Sequence, residues 1–212
     1  MPGRGSLVVS HARDTLARHA PLSVGRPLTA LELDSFDRYL ELLQRWQKAQ
    51  RLVGSTEPEW VVENLFLDSL LFIRLLPVSI HSLADLGSGA GFPGIPIKIV
   101  CPHVAVTLIE SRERRASFLA AAVRELHLGR VRVLNARAEQ VADEMPGSFS
   151  AVVTRCAGDP HRVIPIAAKL VAPGGIVIAA GSPGPRLLPA GAWHEVTQGP
   201  GGRTRKFAVH RV

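Results

Sequence analysis

One stretch, Asp85-Leu86-Gly87-Ser88-Gly89-Ala90-Gly91-Phe92-Pro93-Gly94, constrains this chain more than any other. An apolar run from His81 to Leu86 feeds straight into it. A helix-capable segment with Pro93 and Pro96 near its start follows. That order spells a first strand, a tight glycine turn and a helix N-terminus. Glycines serve there because some positions need φ > 0 and because a ligand must lie against bare backbone. The free N–H groups and the dipole of a helix start favour an anionic ligand group. An ordinary surface turn does not call for four glycines in eight residues.

Two ligand classes fit such a turn. Gly89-Ala90-Gly91-Phe92-Pro93-Gly94 matches G-x-G-x-x-G, the dinucleotide fingerprint, which is weak alone. The competing pattern is Asp85-x-Gly87-x-Gly89-x-Gly91, with an acid two residues before the first glycine, typical of S-adenosylmethionine-dependent methyltransferases. Asp85 is an awkward neighbour for a pyrophosphate and a good partner for the ammonium of a methionine moiety. A second strand, Val104 to Ile109, ends at Glu110, nineteen residues past Gly91. An acid there can accept hydrogen bonds from ribose hydroxyls of either ligand. Glu110 therefore does not discriminate between the two, whereas Asp85 favours the methyl donor.

At 212 residues, 46% hydrophobic and 20% charged, the chain suits one globular domain plus an extension. Its net charge of +7 favours a polyanionic partner such as nucleic acid. The two cysteines, Cys101 and Cys156, have no paired spacing, and Cys156 is expected to be a small buried residue. The histidines lack metal-ligand spacing, so no metal is expected. The longest apolar stretch, Trp60 to Leu76, is interrupted by Glu63, Asp68 and Arg74, so no membrane span is expected. No signal-peptide core stands at the N-terminus. A cytoplasmic monomer is expected.

Along the chain, residues 1–26 are basic, with four arginines and one acid, and are expected to be mobile. Within them His11 to Ala20 can form a short basic helix suited to RNA. Residues 27–80 carry a helical cap. Leu33, Phe36, Leu40 and Leu43 recur at helical steps, Thr29 and Glu32 spell a capping box, and Pro58 opens a second helix reaching about Leu76. Residues 81–212 alternate strand and helix signals in an α/β pattern. After the glycine turn come a helix from Arg112 to His127 and strands at Val131–Asn135 and Phe149–Thr154. A helix from Pro160 to Val171, a break at Pro173-Gly174-Gly175 and a strand Ile176–Ala180 follow. Trp193–Gln198, a turn at Gly199-Pro200-Gly201-Gly202 and Arg203–His210 read as a closing hairpin. Five parallel strands and a hairpin fit the Rossmann-like, seven-stranded methyltransferase sheet better than a nicotinamide domain.

The chain resembles the bacterial 16S ribosomal RNA guanine-N7 methyltransferases, the RsmG or GidB family, over roughly residues 30–210. The resemblance rests on Leu67-Asp68-Ser69, on Asp85 through Gly94 continued by Ile95-Pro96, and on Glu110-Ser111 with Arg114-Arg115 and Phe118-Leu119. Arg137-Ala138-Glu139 and Thr154-Arg155 complete it. It implies S-adenosylmethionine as donor, S-adenosylhomocysteine as product, and 16S rRNA or a small-subunit precursor as partner. It implies donor contacts at Asp85, Gly87, Ser88, Gly89, Gly91, Phe92, Glu110, Ser111, Ala138, Glu139 and Arg155, with Arg155 also at the methyl-transfer site. RNA contacts are expected at Arg114, Arg115, Arg137, Arg203, Arg205 and Lys206. Gln47, Arg51, Val53, Asn64, Leu65 and Ala180 depart from the family's usual acceptor-side residues.

N7 of guanine carries a free lone pair, so attack on a sulfonium methyl requires no general base. The lack of an Asn-Pro-Pro-Tyr motif or a Pro-Cys nucleophile agrees. Arg155 is assigned to a phosphate or guanine O6, with a salt bridge to Asp85 or Glu139 as the alternative. A non-catalytic RNA-binding protein that keeps the donor fold is the alternative function.

Overall fold

The computed structural model describes residues 4–155, 159–180, 187–198 and 202–212. Cys156 and the tip of the hairpin turn, Gly199-Pro200-Gly201, lie outside them.

The N-terminal segment, expected to be mobile, carries a helix, α1 (Arg4–His19), and a single turn, α2 (Pro21–Val24). Ala12, Leu16 and Ala20 are buried along one face. Of its arginines, Arg26 pairs with Glu32 at 2.6 Å, and Arg13 pairs with Asp34, at 2.8 Å, and with Asp37. All three acids belong to α3 (Ala30–Gln47), which begins in the expected capping box. Thr29 Oγ1 accepts from the Glu32 N–H and Glu32 Oε2 accepts from the Thr29 N–H at 2.7 Å.

The second cap helix opens with α4 (Pro58–Val61), where Glu57 accepts from the Trp60 N–H at 2.7 Å and Pro58 takes the first position. It continues through a π-helical turn (Val62–Phe66), α5 (Leu67–Leu70) and a 3-10 turn (Leu71–Arg74). Single π-helical turns inside α-helices are frequent at functional sites.

The rest is a seven-stranded sheet flanked by helices. In chain order come β1 (Ser82–Leu86), α6 (Gly94–Val100), β2 (Ala105–Ile109), α7 (Glu113–Glu125) and β3 (Val131–Leu134). Then follow α8 (Ala138–Glu144), β4 (Phe149–Arg155), α9 (Pro160–Leu170), β5 (Val171–Ala180), β6 (Ala192–Thr197) and β7 (Thr204–Arg211). The strand order is β3-β2-β1-β4-β5-β7-β6, parallel except for β7, which runs antiparallel to both β5 and β6. This is the expected α/β class and hairpin-ended sheet.

Two elements differ from the sequence expectation. α8 was not anticipated, and β5 begins at Val171, with Pro173-Gly174-Gly175 absorbed as an irregularity in its pairing with β4. The central strands are buried on both faces, as crossover helices require. One hydrophobic cluster runs from Leu16 and Phe36 through Phe92 to Phe118 and Ile178, so cap helices and sheet share a core.

Candidate functional site

In an open parallel sheet the connections leaving two neighbouring strands in opposite directions part at the strands' carboxyl ends and leave a crevice. Here those strands are β1 and β4. β1 runs on through the glycine turn and α6 to β2 on one side, while β4 is followed by β5 on the other. The turn 87–93 and Arg155 therefore flank the crevice.

Two clefts open along the turn. The first, about 380 Å³, is lined by Gly87, Glu110, Ser111, Arg115, Arg137, Ala138 and Glu139, with apolar walls that include Ile109, Val163 and Ile166. The second, about 230 Å³, is lined by Gly87, Ser88, Gly89 and Phe92, by Leu52, Val53 and Leu65 of the cap, and by Arg115 and Arg155. Gly87 and Arg115 border both clefts, so an extended ligand can pass from one into the other across the turn. The first cleft lies within the volume range of small-molecule sites.

Glu110 ties the turn to the end of β2. Its Oε2 accepts from the Gly89 N–H at 2.9 Å, and its Oε1 accepts from the Arg112 N–H at 2.8 Å. Each oxygen keeps a second lone pair for a hydroxyl donor. Gly89 has φ of +59°, and a Cβ there would meet nothing nearer than Arg115 Nη1 at 3.7 Å. The space over Gly89 is open, as a cradle for a ligand requires. Gly91, at φ +93°, faces inward instead, where a Cβ would stand 2.7 Å from the Tyr39 hydroxyl and 2.5 Å from Ile95. It lines neither cleft.

Asp85, expected to grip a ligand ammonium, is fully buried and lines neither cleft. Strand alternation explains this, for Leu86 meets the first cleft while Asp85 turns toward α6. Its Oδ2 accepts from the Gly94 N–H at 2.9 Å, while Oδ1 has no hydrogen-bond partner among the described residues. Burial raises its pKa to about 7, against the lowering effects of the Gly94 N–H and of the Arg155 charge. Ser88 is also turned inward, its hydroxyl donating to the Asp85 carbonyl at 2.8 Å.

Arg155 forms its ion pair with Asp68 at 3.3 Å, not with Asp85 or Glu139. It also donates to the Asn64 carbonyl at 3.1 Å, and its guanidinium carbon lies 5.1 Å from the centre of the Phe92 ring. That distance suits a cation–π contact. Asp68 is buried and takes a second guanidinium, Arg205 Nε at 2.8 Å. Arg203 donates to Asn64 Oδ1 at 2.8 Å, and Lys206 pairs with Glu195 at 3.1 Å. The basic run of β7, which has no acid beside it in sequence, thus finds its acids in space. Arg137 stands in the first cleft beside Ala138 and Glu139, and Arg115 over the turn.

Tyr39 and Asp68 carry weight here that their sequence positions did not announce. The Tyr39 hydroxyl donates to the Ala90 carbonyl and its ring stacks on Phe92 at 5.3 Å, tying α3 to the turn. Nothing local to Tyr39 signals this. Asp68 lies in the quoted Leu67-Asp68-Ser69, and burial of an acid inside an apolar helix was the available signal. No three His, Cys, Asp or Glu residues come together as metal ligands among the described residues. No described helix is long and apolar enough to cross a membrane.

The chain matches the family model described as rRNA small subunit methyltransferase G (GidB) over residues 32–182. A protein named ribosomal RNA small subunit methyltransferase G from Stenotrophomonas maltophilia is 40% identical over 142 residues, 67% of this chain and 65% of that relative. One of the same name from Halorhodospira halophila is 38% identical over 152 residues, 72% of this chain and 70% of the relative. The match therefore spans 65% of the Stenotrophomonas protein's length, just under two thirds. Among solved structures, a SAM-dependent methyltransferase from Aquifex aeolicus aligns with a TM-score of 0.53, covering 72% of this chain and 92% of that one. At 15% identity that likeness shows the fold.

Proposed function

The chain belongs to the rRNA small subunit methyltransferase G family, and from that membership we propose that it transfers a methyl group from S-adenosylmethionine to N7 of a guanine in small-subunit (16S) rRNA. The observation that carries this reading is the glycine turn at the β1/β4 crevice, with a carboxylate, Glu110, in the cleft on one side and a guanidinium, Arg155, in the cleft on the other.

The residues suit such a donor. Glu110 accepts from the ribose hydroxyls. Ala138, Glu139, Val163 and Ile166 border the adenine, where the largely polar first cleft has apolar walls. Arg155 has a planar, charged fork matched to a carboxylate or a phosphate. It is held in place by Asp68 and by the Asn64 carbonyl. Beneath the turn, Asp85 contributes negative potential to a cationic ligand when it is ionised, without touching it.

When bound, the donor supplies an activated methyl on a sulfonium. The protein's own residues then have three tasks: to hold the guanine in line, to exclude water, and to keep the turn fixed. No side chain need remove a proton, because N7 already offers its lone pair. Orientation of this kind lowers barriers by about 7–11 kcal/mol in well-aligned systems.

Strand-scission mapping of N7-methylguanine in 16S rRNA, from cells with and without the gene, tests the proposal. One modified guanine should disappear with the gene and return with it. An unchanged map would overturn the proposal in favour of a binding protein that only keeps the fold.

A further inference from the structure

Three glutamines at three-residue steps, Gln44, Gln47 and Gln50, tack down the segment that follows α3. Gln44 Nε2 donates to the Thr56 carbonyl at 3.0 Å. Gln47 Oε1 accepts from the Leu52 and Val53 N–H groups at 2.7 and 3.2 Å, and its Nε2 donates to the Val53 carbonyl at 2.9 Å. Gln50 Nε2 reaches across to the Arg114 carbonyl in the first turn of α7, at 3.1 Å. All these ties are uncharged, so salt does not loosen them.

The segment held this way faces two clefts. Leu52, Val53 and Gly54 line the second cleft beside the glycine turn. Its Arg51 lines a third, of about 520 Å³, together with Arg112, Arg114, Arg115 and one acid, Glu113. None of these four arginines has an ion-pair partner among the described residues, unlike Arg155 and Arg205 on the other side of the turn. Arg115 borders all three clefts. An anion held in the third cleft is therefore one side chain away from the donor turn.

We infer that the segment from Lys48 to Thr56 is a preformed wall of the acceptor-RNA site, and that Arg51 joins Arg112, Arg114 and Arg115 in binding successive phosphates of that strand, one arginine to a phosphate. The inference rests on the rRNA reading above and adds the subsite. Guanidiniums bind phosphate oxygens through paired N–H donors, and such contacts set the register of a strand without reading its bases. The position of Arg51, a departure from the family's usual residues, thereby acquires a role. Gln47 is a positioning residue, which acts through the backbone it holds.

The test is titration of a fluorescent single-stranded 16S rRNA fragment across a salt series, with S-adenosylhomocysteine binding measured in parallel by calorimetry. Arg51→Ala and Arg114→Ala should each make the slope of log affinity against log salt shallower by about 0.7, with binding of S-adenosylhomocysteine unchanged. Gln47→Ala should weaken RNA binding by up to roughly tenfold, the worth of one net hydrogen bond. It should leave the slope as it was, because no charge is lost. Arg211→Ala is the control, since Arg211 pairs with Ile176 in the middle of β5, four residues before Ala180, whose end of the strand lies beside Arg155 at the crevice. If the unaltered protein binds and methylates rRNA but the two arginine variants keep its slope, the phosphate subsite is refuted and the methyltransferase reading stands. Gln47→Ala with unaltered RNA affinity would refute the wall. A protein that neither binds nor methylates rRNA would remove the reading itself, and the subsite with it.

Discussion

Asp85 has one carboxylate oxygen on the Gly94 N–H and the other buried without a hydrogen-bond partner among the described residues, and burial moves its pKa from 3.8 to about 7. The folded state therefore holds that proton more tightly than the unfolded chain does. Stability on this account falls as pH rises from about 4 to about 7; the cost is absent below that window and complete above it. A shift of this size corresponds to about 4 kcal/mol. Asp85→Asn should remove the dependence, so that urea denaturation finds the variant gaining on the unaltered protein between pH 5 and pH 8. Parallel pH profiles for the two proteins would refute a buried, proton-holding Asp85. The sequence shows an acid at the end of the first strand but not which way it points, since one step along a strand reverses the face. Arg155 was equally half-legible. Its place at the end of β4 could be read, but its partner Asp68, 87 residues away in the chain, could not.

The glycine turn works as an element because its glycines do different things. At Gly89 the missing side chain leaves room for a ligand, while at Gly91 it leaves room for the protein itself. Gly91→Ala forces a methyl against the Tyr39 hydroxyl and Ile95 at a backbone φ of +93°. Overpacking of that kind costs about 1–3 kcal/mol. The variant should melt several degrees lower by circular dichroism, and an unchanged melting temperature would mean that Tyr39 does not brace the turn. The turn, the capping box at Thr29 and Glu32, and the closing hairpin were legible because each has a local signature. α8 was not, because seven residues give too short a period to see. β5 extends back to Val171 because pairing with Phe149 of β4 overrides the local breaking signal of Pro173-Gly174-Gly175.

At the scale of the molecule, the sheet and its helical cap share one core, and the cap's ring stack of Phe36, Phe66 and Tyr39 ends on Phe92 of the turn. The cap therefore fixes the turn from above while β1 and β2 fix it from below. The net charge of +7 was plain in the sequence, but its distribution was not. Arg205 reads as a free cation until the fold brings it to Asp68, 137 residues earlier. Counting charges along a chain misses pairs of that range, and it takes the structure to separate the arginines that hold the fold from those left open around the turn.

The central claim, that the turn after β1 cradles the methyl donor, is tested most directly by calorimetric titration of S-adenosylhomocysteine into the unaltered protein and into Gly89→Val. The space over Gly89 is open to the second cleft, so a valine there should occupy the ligand's place. The unaltered protein should bind, and the folded variant should show no measurable heat of binding. Equal affinity in the two proteins would contradict the claim and put the donor elsewhere.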